Sequence, residues 1–180
     1  MPVLPVGEGG RRGPRARRPS GVGDAMPTRK PPVLNYRRVP PAPVRRAAGW
    51  AKMDIRWLAS DKTMGTKTAC FWRTVFPPGA AHHKHIHTRA DEIFYMIRGR
   101  GMHGLGDREY PVRAGDVFFI PRGRVHWMRN VDPGRPVELV GVYVGAPNLR
   151  ATGYVYVGEI GSPRRPVRGG RRARAGHRTA

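Results

Sequence analysis

Ten positions in two runs constrain this chain more than anything else in it. The first run is Gly79, five residues, His85, one residue, His87, four residues, Glu92, six residues, Gly99. The second is Gly115, five residues, Pro121, one residue, Gly123, two residues, His126, three residues, Asn130. At average residue usage, ten fixed positions coincide by chance far less often than roughly once in a billion. His85 and His87 stand two apart, so on a strand both imidazoles leave the same face and form half of a chelate. Glu92 adds a hard carboxylate oxygen from the next strand, and His126 completes the set from a later one. The remaining motif residues are punctuation. Pro78-Gly79 turns into the histidine strand, Gly99 and Gly101 end the Glu92 strand, and Ala114-Gly115-Asp116 turns into the apolar run 117–120. Pro121 and Gly123 then reverse the chain before His126, and Asn130 leads into the turn Asp132-Pro133-Gly134. Such a chain folds back on itself as short antiparallel strands.

This bipartite pattern resembles the signature of the cupin superfamily at all ten positions. The spacer of 15 residues between its halves, 100–114, is similar to that of small single-domain cupins of type 2. The resemblance extends in outline over 50–160, with its motifs confined to 79–130. It implies a jelly-roll β-barrel with a metal held by His85, His87, Glu92 and His126 at its open end.

The residues support an all-β reading independently. Runs at 52–58, 68–77, 82–88, 91–98, 100–106, 110–113, 116–120, 124–130, 136–145 and 153–158 are rich in Val, Ile, Phe, Tyr and Trp. Gly, Pro or Asp separates them, and no stretch supports a helix longer than two turns. Regular short strands of this kind imply a sandwich or a closed barrel.

Three imidazoles and a carboxylate suit one divalent first-row ion, Fe(II) ahead of Mn, Ni, Zn or Cu. Thiolate chemistry is excluded, since Cys70 is the sole cysteine and reads as a small buried residue. Four protein ligands leave two octahedral positions open. Strand parity names pocket candidates: Phe94 and Met96 share the face of Glu92, and Met128 shares that of His126. They serve equally as ordinary barrel core. His83 shares the parity of His85, which puts it at the pocket mouth, while Arg73 and Arg98 are the cations placed to hold a substrate carboxylate. His82 has the opposite parity and is expected at the surface, as is His103 between its glycines. Tyr95 and Trp127 point outward, to cover the barrel or serve a homodimer interface. His177 reads as incidental.

Charge divides the chain. Residues 1–49 carry eleven basic and two acidic groups, net +9; 50–160 carry sixteen and ten, net +6; 161–180 carry seven arginines and no acid, net +7. Hence the overall +22 belongs mostly to two Pro-, Gly- and Arg-rich ends. They read as a disordered leader over 1–49 and a disordered tail over 161–180 flanking a domain at 50–160. Binding of nucleic acid through the arginines is the less favoured alternative, because the ends lack aromatics for base stacking and no helix-turn-helix accompanies them. A translation start at Met26 or Met53 would shorten the leader. No apolar h-region and no membrane-length apolar span occur, and the single cysteine suits a reducing cytoplasm.

The function these features favour is a metal-dependent enzyme acting on a small organic molecule. Dioxygenase-like oxidation stands slightly ahead of isomerase, decarboxylase or lyase chemistry, and a non-catalytic sensor or ligand-binding cupin is the alternative. No catalytic acid or base can be named from the sequence. Cupin lyases acting on dimethylsulfoniopropionate carry a tyrosine two residues after the motif glutamate, where this chain has Phe94.

Overall fold

The computed structural model describes residues 30–161. The strands are β1 (Trp50–Ala51), β2 (Asp54–Ala59), β3 (Ala69–Phe76), β4 (Ala81–His87), β5 (Asp91–Arg98), β6 (Arg100–Leu105), β7 (Arg108–Arg113), β8 (Val117–Ile120), β9 (His126–Asn130), β10 (Val137–Val144) and β11 (Tyr154–Gly158). They form two antiparallel sheets, one ordered β1-β4-β9-β6-β7 with β11 also paired to β4, the other ordered β2-β3-β10-β5-β8. This is the jelly-roll that the cupin resemblance implies, and it agrees with the sandwich or barrel expected from the strand cadence. Among the described residues the only helical pieces are two short 3₁₀ turns, at Tyr36–Arg38 and Arg46–Ala48.

Alternation builds the core. On β3 the buried residues are Cys70, Trp72, Thr74 and Phe76; on β10 they are Val137, Leu139, Gly141 and Tyr143. Those strands pair residue for residue, Trp72 opposite Gly141 and Phe76 opposite Val137, so their inner faces coincide. Each large apolar side chain buried in this way contributes about 1.5–3 kcal/mol. Cys70 is buried as expected, and burial pushes its thiol up to about 12, so it stays protonated at neutral pH.

Two motif glycines show why the pattern requires them. Gly99 has φ +87°, and a Cβ there would stand 2.6 Å from the Pro136 carbonyl oxygen. Gly123, at φ +78°, turns the chain so that its N–H donates to the His87 carbonyl at 2.8 Å. The β8–β9 turn is thereby fastened to the histidine strand. Asn130 closes the other end: its side-chain amide donates to the carbonyls of Phe76 and Arg135, both at 2.8 Å.

The packed chain begins before residue 50. Val39 is buried, Ala42 N–H donates to the Ile55 carbonyl at 2.8 Å, and Arg56 reaches back to the Val39 carbonyl. Residues 30–49 therefore lie along the barrel, where composition had assigned them to a disordered leader. Pro and Arg content hid a segment held by backbone hydrogen bonds rather than by an apolar period. The rest of the leader, 1–29, and the tail from 162 onward, His177 included, lie outside the described residues. None of the described helices is long or apolar enough to cross a membrane.

Candidate metal centre

β4 carries His85 and His87, β5 carries Glu92 and β9 carries His126. Pairing of β4 with β9 sets His85 opposite His126, while Glu92 reaches across from the other sheet. One ligand atom from each of the four residues falls within 4.8 Å of the others, and all four residues are buried.

Hydrogen bonds assign the tautomers. His85 Nδ1 lies 2.6 Å from the His83 carbonyl and His126 Nδ1 lies 3.0 Å from the Arg124 carbonyl. A carbonyl only accepts, so both Nδ1 atoms carry the proton. His87 Nδ1 lies 2.8 Å from Thr152 Oγ1, and that hydroxyl spends its own proton on the Leu149 carbonyl at 2.6 Å. Nδ1 of His87 is thus protonated too. All three Nε2 lone pairs consequently face inward.

The inner side holds no compensating donor. Among the described residues, His85 Nε2, His87 Nε2, His126 Nε2 and Glu92 Oε2 are buried without a hydrogen-bond partner. Glu92 Oε2 stands 2.9 Å from His126 Nε2 and 3.4 Å from His87 Nε2. Burial by itself raises the Glu92 carboxyl, but the adjacent His126 and His87 outweigh it and hold the group ionised, below the usual carboxylate range. Burial and the neighbouring imidazoles push His85 in the opposite sense, well below an ordinary histidine. Converging lone pairs and a carboxylate in a buried site are stabilised best by a cation at their centre. The residues fit a divalent metal.

Other sequence expectations land differently. His82 is not at the surface: it is buried, stacked on His85 with ring centroids 3.6 Å apart, and bonded through Nε2 to the Tyr154 hydroxyl at 3.1 Å. The cause is a bulge in the β4–β9 ladder between His82 and His85, which reverses parity and turns the half-buried His83 away. His83 instead lies near Trp50, Lys52 and Gly79 and accepts from Ile160 N–H. A second irregularity, between Glu138 and Leu139 of the β10–β5 ladder, carries Arg98 outward. Arg98 and Arg73 both bind Glu138, at 2.8 and 2.6 Å, and neither lines the cavity beside the ligands. Phe94 and Met128 do line it; Met96 is fully buried but outside that lining.

His103, expected on a surface strand, is 1% exposed. Gly101 and Gly104 flank it closely, so its strand had no side-chain alternation from which to read a face. Trp127 faces away from His126 but is buried, lying on Gly104, where a Cβ would meet the indole at 2.0 Å. Tyr95 is exposed. Sequence reasoning missed Thr152, Tyr154 and Tyr143 altogether. Thr152 orients His87, Tyr154 links His82 to the Ala48 carbonyl at 2.5 Å, and the Tyr143 ring lies 4.6 Å from that of His87. No spacing rule connects these residues to the histidine motif.

The cavity beside the ligands is small, about 30 Å³. Trp72, Phe94, Met128, Leu139 and Tyr143 supply much of its wall, and among the described residues Glu92 is its only carboxylate and no Lys or Arg lines it. It therefore accommodates a molecule of a few heavy atoms whose charge is met by the centre.

Comparison with known proteins agrees with this geometry. The cupin domain family profile matches residues 72–143. A segment of 82 residues is 32% identical to the oxalate-binding protein of Thermotoga maritima, covering 46% of this chain and 68% of that protein. The chain belongs to the cupin superfamily. It is also 40% identical over 88 residues to an oxalate oxidase of Triticum aestivum, covering 44% of this chain and 38% of that one. The crystal structure of a predicted oxalate decarboxylase from Thermotoga maritima superposes with a TM-score of 0.56 and 26% identity, over 63% of this chain and 98% of that one. The chain thus spans about two thirds of the oxalate-binding protein and well under half of the oxalate oxidase.

Proposed function

We propose that this cupin holds one divalent first-row metal ion through His85, His87, Glu92 and His126 and acts as an oxidoreductase on a small chelating acid of the oxalate class. The observation that carries the reading is the convergence of four buried, unpartnered ligand atoms beside a cavity that admits only a small molecule. Relatives named for binding or oxidising oxalate support the substrate class. Bound there, a first-row ion supplies Lewis acidity and, where redox-active, a route for electrons.

The chain's own residues do the rest. Their Nδ1–H bonds hold three imidazoles with the lone pairs forward, so no reorganisation is needed when a ligand arrives. The apolar wall of Trp72, Phe94 and Met128 limits water beside the ligand, which strengthens every electrostatic contact inside. The Tyr143 hydroxyl, raised well above the ordinary tyrosine range by burial, stays protonated and can only donate or accept a hydrogen bond at neutral pH.

One observation favours a second reading, binding without turnover: Glu92 is the lone carboxylate of the cavity, and as a metal ligand it is not free for proton transfer. Elemental analysis of protein prepared anaerobically, followed by oxalate titration and O₂ uptake, separates the two. Stoichiometric metal with oxalate-dependent O₂ consumption supports the oxidoreductase. Tight oxalate binding with no product supports the binder, and metal-free protein under all loading conditions refutes both.

We further propose that the protein is a homodimer. The outer face of β5 and β8 exposes Ile93, Tyr95, Ile97, Val117 and Phe119, with Ile93 opposite Phe119 and Tyr95 opposite Val117, an apolar strip of the kind that association covers. A monomeric mass by light scattering at micromolar concentration would contradict this.

A further inference from the structure

Two buried polar groups in the cavity take no part in holding the metal. His103 on β6 is 1% exposed; the Trp127 backbone lies beside its ring, but among the described residues neither ring nitrogen makes a well-formed hydrogen bond, and the Trp72 indole Nε1 on β3 is likewise buried and unpartnered. Both residues line the same cavity as His85, Glu92 and His126. They flank one aromatic ring: Phe94 lies 5.3 Å from His103 edge-on and 6.5 Å from Trp72. The His103 ring is 6.4 Å from that of His126, far enough to leave it outside the ligand set and near enough to reach a molecule bound there.

A buried polar group without a partner forfeits the hydrogen bond it made to water and so destabilises the folded state. Two of them in one small cavity call for an occupant that satisfies both. Trp72 can only donate, and a neutral imidazole offers one donor and one acceptor. Burial keeps His103 neutral, its pKa lowered to about 4. Neutral donors set against an apolar wall match oxygen atoms of an acid whose charge is already compensated, not a free anion in need of a cation.

Resting on the oxalate-class reading above, we propose that His103 and the Trp72 indole N–H form the ligand-orienting end of the cavity. They hydrogen-bond the oxygens of a bound acid that point away from the metal. Specificity then divides in two, with the metal selecting a chelating pair of oxygens and these donors selecting a ligand with at least one further oxygen.

The test uses full-length protein loaded with Co(II) and titrated with oxalate and with fluoride, a one-atom metal ligand too short to reach His103. In His103→Phe and Trp72→Phe we expect metal content and fluoride affinity equal to the parent, with oxalate affinity lower by roughly 10- to 100-fold. His103→Gln, which keeps a donor, should recover much of the loss. Oxalate affinity within twofold of the parent in both Phe variants overturns the proposal. So does an equal loss of fluoride and oxalate, which would make His103 a packing residue. Parent protein that takes metal and fluoride but no oxalate overturns the oxalate-class reading itself, and with it this role for the two donors.

Discussion

Replacing Thr152 by Val keeps the volume and the β-branched shape of a side chain with no solvent exposure and removes one hydroxyl. That hydroxyl is the acceptor for His87 Nδ1–H at 2.8 Å. The Leu149 carbonyl to which it donates retains a second donor, the Thr152 backbone N–H at 3.2 Å, so the loss falls mainly on His87. An orphaned buried N–H costs about 1–3 kcal/mol. The metal-free protein can avoid that cost by moving the proton to Nε2, but Nε2 is where the metal requires a lone pair. Metal binding must therefore reverse the tautomer shift or leave Nδ1–H unpaired, and affinity should fall by roughly 10- to 100-fold, or about 1.4–2.7 kcal/mol. Competition against a chromogenic chelator at neutral pH measures it directly. Thr152→Ser, which restores the oxygen, should lie within a few-fold of the parent. If Thr152→Val holds metal within twofold of the parent, the tautomer argument is wrong.

Four shorter expectations accompany it. His87→Ala and Glu92→Ala should each lose most of the metal while the far-ultraviolet spectrum keeps its β-sheet form; parent-like metal content would refute the ligand assignment. Acid should weaken the metal-free fold through His103, which is protonated in the unfolded chain below about pH 6.5 but resists protonation in the folded one until about 4. The unfolded state therefore binds more protons between those values, and stability drops as pH falls through that window, by about 3 kcal/mol from this residue. Urea unfolding of the parent and of His103→Phe at pH 7 and pH 4 would show a smaller drop in the variant, or else disprove this. Gly104→Ala should destabilise by about 1–3 kcal/mol, because the new Cβ would stand 2.0 Å from the Trp127 indole; an unchanged melting temperature would count against that packing. Removing residues 30–49 should lower the melting temperature by several degrees through loss of the Val39, Ala42 and Ala48 contacts, and equal stability would return those residues to the leader.

The strand cadence and the four candidate ligands were legible because both depend on short-range rules. Alternating apolar residues on β3 and β5 name a buried face without reference to any partner, and Gly99 and Gly123 announce positive-φ turns by being glycine. Parity arguments then failed at particular places for one reason. His82 and Arg98 were assigned to the wrong face because each lies beside an irregularity in a ladder. A bulge is defined only by counting residues against the opposite strand, and one extra residue reverses every side chain beyond it. His103 escaped for a different reason, since its glycine neighbours carry no side chains from which a pattern could be read.

An all-β chain, the turns that articulate it and four residues chemically suited to one metal were written into the primary structure. Those are properties of residue type and spacing, which act over a few bonds. What surrounds them was fixed by the packed fold. Thr152 lies 65 residues from the His87 that it orients, and Tyr154 lies 72 residues from His82. His103 and Trp72 reach the same cavity from opposite sheets. Contacts across such separations are set by which strands pair and in what register, and that choice is made by the burial of the whole core at once.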